Sequence, residues 1–114
     1  MAYDRELADR IRGVLGGEQE LHEQAMFGGL GFMVRGNMAV AASGQGGLMV
    51  RVNPDDADPL IDDVHVRPMV MRGREMRGWL MVDTDAVSSD DELGQWVARG
   101  VTYARSLPAK ASRA

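Results

Sequence analysis

A two-layer α+β fold, an antiparallel sheet with helices, is the architecture that this sequence predicts. Three observations carry it. Apolar residues recur at helical spacing near both ends of the chain. Between Leu30 and Val52 the period drops to two, and glycine-rich turns break the run. The last helix opens on a capping box, Ser89-Asp90-Asp91-Glu92. At 114 residues the chain has the size of one domain, set at 4–108, and the remaining six-residue tail, 109–114, is expected to be disordered.

In chain order, Asp4 to Leu15 reads as a helix, with Leu7, Ile11, Val14 and Leu15 on one stripe and Gly16-Gly17 closing it. The segment Glu18–Gln24 is polar and carries no period. Leu30 to Arg35 and Met38 to Ser43 are strands around a Gly36-Asn37 hairpin, both residues of which tolerate positive φ. Gly44-Gln45-Gly46-Gly47 turns the chain into a third strand, Leu48–Val52. Asn53 caps a short helix through Ile61, with Pro54 in its first turn and Pro59 making it irregular. Arg67–Met71 and Trp79–Asp83 are two more strands, joined by a basic loop from Arg72 to Gly78. The final helix lays Leu93, Trp96, Val97, Val101 and Ala104 on one face, and Pro108 stops it. The order is therefore α-β-β-β-α-β-β-α.

Composition removes several kinds of chemistry. The chain has no cysteine, so disulfides, thiolate metal sites and cysteine nucleophiles are excluded. No apolar run approaches the roughly 20 residues that span a bilayer, and the charged N-terminus lacks the apolar core of a signal peptide. A cytoplasmic location is the expectation. A net charge of −4 argues against a general nucleic-acid binder, whose affinity comes mostly from neutralising phosphates.

The glycines of Met26-Phe27-Gly28-Gly29-Leu30-Gly31 raise the question of a phosphate loop. Such a loop needs a strand before it and a helix after it, so that free amides face the anion. Here a polar segment precedes and a strand follows, the spacing matches no phosphate-binding motif, and no lysine is near. A steric role is the better reading: Gly28 and Gly29 let the chain bend or pack closely, and Gly31 leaves the sheet bare. His22 lies near Glu18 and Glu23, and His65 follows Asp62-Asp63, but neither has the spacing that brings two imidazoles to one ion. The acidic pairs Asp55-Asp56 and Asp90-Asp91 sit at helix starts, where they complement the dipole. No catalytic residue, metal ligand or cofactor-binding residue is assigned, and no cofactor is expected.

Four arginines, Arg67, Arg72, Arg74 and Arg77, fall within one hairpin against a single acid, Glu75. They suit an anionic partner, or else form a solvated tip. The nine methionines read mostly as core filler. The alternation adds a further hint. Leu30, Phe32, Val34, Met38, Val40, Leu48, Val50 and Val52 share one face of the sheet. Gly31, Met33, Ala39, Ala41 and Met49 share the other, with Arg35 and Arg51 at its margin. Both faces are apolar, and the second needs a cover: a helix of the same chain or another subunit.

These residues resemble the N-terminal domain of the TfoX/Sxy family, bacterial proteins associated with natural competence. The resemblance runs from about residue 5 to residue 108. It rests on Met26-Phe27-Gly28-Gly29, on Gly31 to Met38, on Leu48 to Val52, on Val66-Arg67-Pro68-Met69, on Gly73 to Trp79, and on Trp96-Val97 with Ala104 to Pro108. It implies a two-layer α+β fold in the order already read, and a regulatory role without catalysis. Full-length competence regulators carry a second, C-terminal domain that this chain is not expected to hold.

The leading expectation is a non-enzymatic regulatory module acting through protein contacts, with homodimerisation as one form of them. Its candidate contact residues are Met33, Met49, Arg51, Arg67 and Arg74, and Met26, Phe27, Gly28 and Gly29 form a structural motif. The alternatives are nucleic-acid binding through the hairpin 67–77 and a small-ligand pocket between sheet and helices. No membrane partner is expected.

Overall fold

The computed structural model of the protein describes residues 3–18, 20–26 and 28–108. Phe27 and the tail 109–114, on which two of the expectations fall, lie outside the described residues.

The chain opens with helix α1, Arg5–Val14, where the Asp4 carboxylate accepts from the Leu7 amide at 3.1 Å and so satisfies one of the free amides of the first turn. Strands β1 (Leu21–Met26), β2 (Gly29–Val34), β3 (Asn37–Ala42) and β4 (Leu48–Arg51) follow. Helix α2, Pro54–Leu60, is capped by Asn53, whose side chain accepts from Asp55. Strands β5 (Val66–Met71) and β6 (Arg74–Val82), a 3-10 turn at Thr84–Val87 and helix α3 (Asp90–Ser106) complete the chain. Ser89 caps α3 as expected, its hydroxyl oxygen accepting from the Glu92 amide at 3.1 Å, while the Glu92 carboxylate reaches back to the Ser89 hydroxyl, at 3.1 Å, instead of to the backbone amide that a full capping box uses.

The six strands form one antiparallel sheet in the order β1-β2-β3-β4-β6-β5. The predicted α+β succession is there, with one strand more, β1, between α1 and the three expected strands. That strand hid in the polar segment because it is an edge: only Leu21 and Met26 are partly buried, so no apolar alternation marks it. Part of what holds it is the Arg12 guanidinium on α1, which grips the Glu23 carboxylate at 2.6 and 2.9 Å. The hydrogen bonds from Arg12 hold the Glu23 carboxyl below its ordinary range.

Two turns differ from the sequence reading. The β2–β3 turn is Arg35-Gly36, with φ of 54° and 82°, instead of Gly36-Asn37. Asn37 is used otherwise: it begins β3, is 2% exposed, and donates from Nδ2 to the Pro108 carbonyl at 3.0 Å. The expected basic loop is a two-residue turn, Arg72-Gly73, with φ of 54° and 77°, and β6 starts at Arg74. Residues 74–77 are exposed, so the strand has no buried side to give it a sequence period.

All three helices contribute to a core on one face of the sheet. Phe32, Val40, Leu48, Val50, Leu80 and Val82 pack under Leu7 and Ile11 of α1, Leu93 and Val97 of α3, and Ala57 of α2. Each of these side chains larger than alanine, once buried, stabilises the fold by about 1.5–3 kcal/mol, which makes this layer the main source of cohesion. Among the described residues, no helix is long and apolar enough to cross a membrane.

Pairing shifts between Phe32↔Val40 and Met33↔Met38, which leaves Ala39 as an extra residue in β3. This bulge corrects the alternation read from sequence. Ala39 packs with Val34 and Ala104 instead of on the second face, and Met38 moves to the second face beside Met33. At the same point α3 comes close: a Cβ on Gly100 would lie 2.3 Å from the Ala39 carbonyl oxygen. The bulge and the glycine let helix and strand backbones touch.

Candidate interaction face

The second face of the sheet is built row by row from the pairing. Gln24, Gly31, Ala41, Met49, Met81 and Arg67 stand opposite one another across all six strands. Beside that row lie His22, Met33 and Met38 on one flank, and Arg51 opposite Trp79. Met33, Met38 and Ala41 form a buried cluster against Met26, Met49 and Trp79. Met33 and Met38 are 9% and 7% exposed, and no helix residue belongs to their cluster among the described residues.

Methionine is partitioned between the two layers. Met26, Met33, Met38, Met49 and Trp79 belong to the second face, Met69 and Met81 line a groove on it, and Met76 stands opposite Met69. Among the described residues, the buried helix-side core is made of Leu, Ile, Val, Phe and Ala, without methionine. The expectation that most methionines fill the core therefore needs correction. Branched aliphatics took the layer that must pack one way, and the flexible thioethers took the layer without a helix.

Of the candidate contact residues, Met33, Met49, Arg51 and Arg67 fall in the rows of this face, and Arg74 lies at the hairpin tip. Met33 is part of the buried cluster, and Met49 is half-buried at the centre of the long row. Arg51 is half-buried, with its guanidinium 5.0 Å from the Trp79 ring centroid and 5.5 Å from that of Tyr103 on α3. Arg67 is exposed at the opposite side and donates to Asp83 at 2.9 Å. Arg74 is exposed near the tip of the β5–β6 hairpin, opposite Met71. Trp79, Tyr103 and Met81 were not among the contact residues read from sequence, and Met26 was read there only as part of a structural motif. The alternation Trp79, Met81 against Leu80, Val82 is the signal that would have found two of them.

A groove of about 740 Å³ runs over this face. Met26, Ala41, Met49 and Met81 line it, as do Arg67, Met69 and Arg72 from the last two strands and their turn, and Gln45 from the β3–β4 turn. The loop that leads into β5 is tied down by Asp62, whose carboxylate accepts from the amides of Val64, His65 and Val66 at 2.9, 2.8 and 2.9 Å. Those backbone donors, Val66 first, hold the Asp62 carboxyl below its ordinary range. A second hollow, about 530 Å³, lies between α2 and α3 beside Val52, Leu60, Ala98 and Tyr103.

The arginines of the hairpin do not form one patch. Arg67 faces Asp83, and Arg77 comes within 3.9 Å of Asp55. His65 also turns to Asp83, at 3.6 Å, and not to Asp62 or Asp63. Among the described residues, no three His, Asp or Glu side chains converge where an ion could sit.

The glycines of the opening motif have steric duties of unequal weight. Gly28, with φ of 76°, lies in the β1–β2 connection, where the left-handed conformation favours glycine. A Cβ on Gly29 would lie 2.5 Å from the Ala42 carbonyl oxygen and 3.0 Å from the Gly44 amide, so the β3 exit needs this gap. At Gly31 the nearest atom is the Met38 methyl, at 3.1 Å, with the Met26 sulfur at 3.5 Å. The bare spot there is filled by methionine.

A family model described as the TfoX N-terminal domain matches residues 14–104 of the chain. No curated protein and no solved structure matches it.

Proposed function

The chain belongs to the TfoX N-terminal domain family, and on that premise we propose that it is a non-enzymatic regulatory module that works by binding another protein across its methionine face. The regulatory part rests on the family, whose longer members are associated with natural competence. The interaction part rests on one observation, the partition of methionine to the sheet face without a helix. Met26, Met49, Met81 and Trp79 are only partly buried there. Unbranched thioethers adapt to a partner's shape at little cost, and a broad apolar face is one that a protein partner would desolvate. The hairpin supports nucleic-acid binding less well, since carboxylates stand at two of its arginines and the chain carries a net charge of −4.

Met49→Asp tests this reading. It sets a charge at the centre of the long row and, being half-buried, disturbs the helix-side core little. Proteins retained from the native cytoplasm by the wild type are expected to be lost with Met49→Asp and kept with Arg99→Ala on α3. Sedimentation of the pure protein at micromolar concentration reports whether a second copy is among them. Equal retention by wild type and Met49→Asp would remove the face from the account.

A further inference from the structure

We propose that the bowl over Gly31 on the second face is a binding site for a soft monovalent metal ion, copper(I), held by the thioethers of Met26, Met33 and Met38 with the His22 imidazole at its rim. Gly31 is the floor, paired with Gln24 on β1 and Ala41 on β3. A Cβ on Gly31 would meet the Met38 methyl at 3.1 Å and the Met26 sulfur at 3.5 Å. Two thioether side chains therefore reach the same spot from the strands on either side of β2. Met33 lies two residues along β2 on the same side, stands opposite Met38, and belongs to the same side-chain cluster. Met38 is unbranched, so a turn about its terminal torsions brings its sulfur to where its methyl lies. His22 stands opposite Met33. It is exposed and has no hydrogen bond or ion pair among the described residues, which leaves its ring free to turn inward.

The donor set selects the ion. Thioethers are soft, neutral donors that favour copper(I), whereas calcium and magnesium take oxygen ligands. Among the described residues, no three His, Asp or Glu side chains converge to offer a harder set. Met33 and Met38 are buried and Met26 is half-buried, which shields the sulfurs from water. Packing alone does not call for sulfur. The buried helix-side core of the same sheet does without methionine among the described residues, and leucine has nearly the same volume. The site needs no partner protein, so it goes beyond the interaction reading and is tested apart from it.

Silver(I) is the probe, since it shares the charge and softness of copper(I) and keeps its oxidation state in air. The full chain, labelled at its methionine methyl carbons, is followed by NMR as silver(I) nitrate is added without chloride. One equivalent is expected to shift the methyl signals of Met26, Met33 and Met38 and the ring signals of His22, and to leave Met76, exposed on β6, in place. Zinc(II) should move none of the three methyl signals. Met26→Leu and Met38→Leu should each weaken silver(I) at least about tenfold, since loss of even an outer-shell partner of a metal costs that much. Met76→Leu should bind as the wild type does. The swap nearly conserves volume, so all three variants should melt within about 10 °C of the wild type. Methyl signals that stay still under excess silver(I), or leucine variants at positions 26 and 38 that bind like the wild type, would overturn the site. So would an equal response to zinc(II), or an equal shift at Met76, which would mark an adventitious ion only. None of these results touches the interaction reading, which stands or falls on retention of native partners by Met49→Asp.

Discussion

Gly100→Ala should loosen the protein, although alanine is the better helix former. In the interior of α3 the substitution favours the helix by about 1 kcal/mol. Against that, the new Cβ would stand 2.3 Å from the Ala39 carbonyl oxygen, 2.9 Å from its carbonyl carbon and 2.9 Å from Val40 Cγ1. The first two are backbone atoms in a paired strand and cannot swing aside, so α3 must lift by about 1 Å to restore ordinary contact. A gap of that size forfeits a quarter to a half of the dispersion along the Leu93, Val97 and Ala104 seam. Overpacking of this kind costs about 3 kcal/mol, which leaves a net loss of about 2 kcal/mol. For a domain of this length that lowers Tm by about 8 °C. Gly94→Ala is the control: it lies in the same helix with nothing within 4 Å of the added carbon, and should raise Tm by about 2–4 °C. Thermal unfolding by circular dichroism reads both. A Gly100→Ala protein that melts at or above the wild type would refute the close contact of α3 with the β3 bulge.

Gly29→Ala should cost about 2 kcal/mol or more in urea unfolding, because the Ala42 carbonyl blocks the new carbon at 2.5 Å, whereas Gly31→Ala should stay within about 1 kcal/mol, since only the flexible end of Met38 must yield. Arg72→Asn should raise the unfolding free energy measured in urea by about 0.5–1 kcal/mol, as asparagine is favoured where the turn demands positive φ. Asp62 has a folded value below its ordinary one, so its contribution is complete above the ordinary carboxylate range and is lost as pH falls through the folded value. The wild-type midpoint should therefore drop below about pH 4, and Asp62→Asn, neutral throughout, should drop less steeply; parallel curves would show that the three amides contribute nothing pH-dependent. A duplex DNA titration at low salt should show no binding, given the carboxylates at Arg67 and Arg77.

Local chemistry made most of the fold legible. Asp4, Asn53 and Ser89 each mark a helix start by a hydrogen bond that closes within three residues, so the caps could be read without knowing where the helices lie. The period of two from Leu30 to Val52 announced the central strands for the same reason, since alternation is a property of the strand itself. Edge and solvent-facing elements carry no such mark. Strand β1 and the first half of β6 are exposed, and they are strands because of what they pair with.

The candidate site divides along the same line. The residue types were in view from the start, and Met33, Met49, Arg51, Arg67 and Arg74 were named from alternation and charge. Which methionines share a face was not in view, because one extra residue at Ala39 reverses the side on which Met38 falls. Nor could the sequence say that Arg67 would meet Asp83, or that Arg51 would lie between Trp79 and Tyr103, pairs brought together from distant parts of the chain. Propensity, capping and period are decided by neighbours a few bonds away, and they settled the elements. Register, bulges and facing charges depend on how those elements pack, so the tertiary structure alone decided that the thioethers would gather on one face and the branched aliphatics on the other.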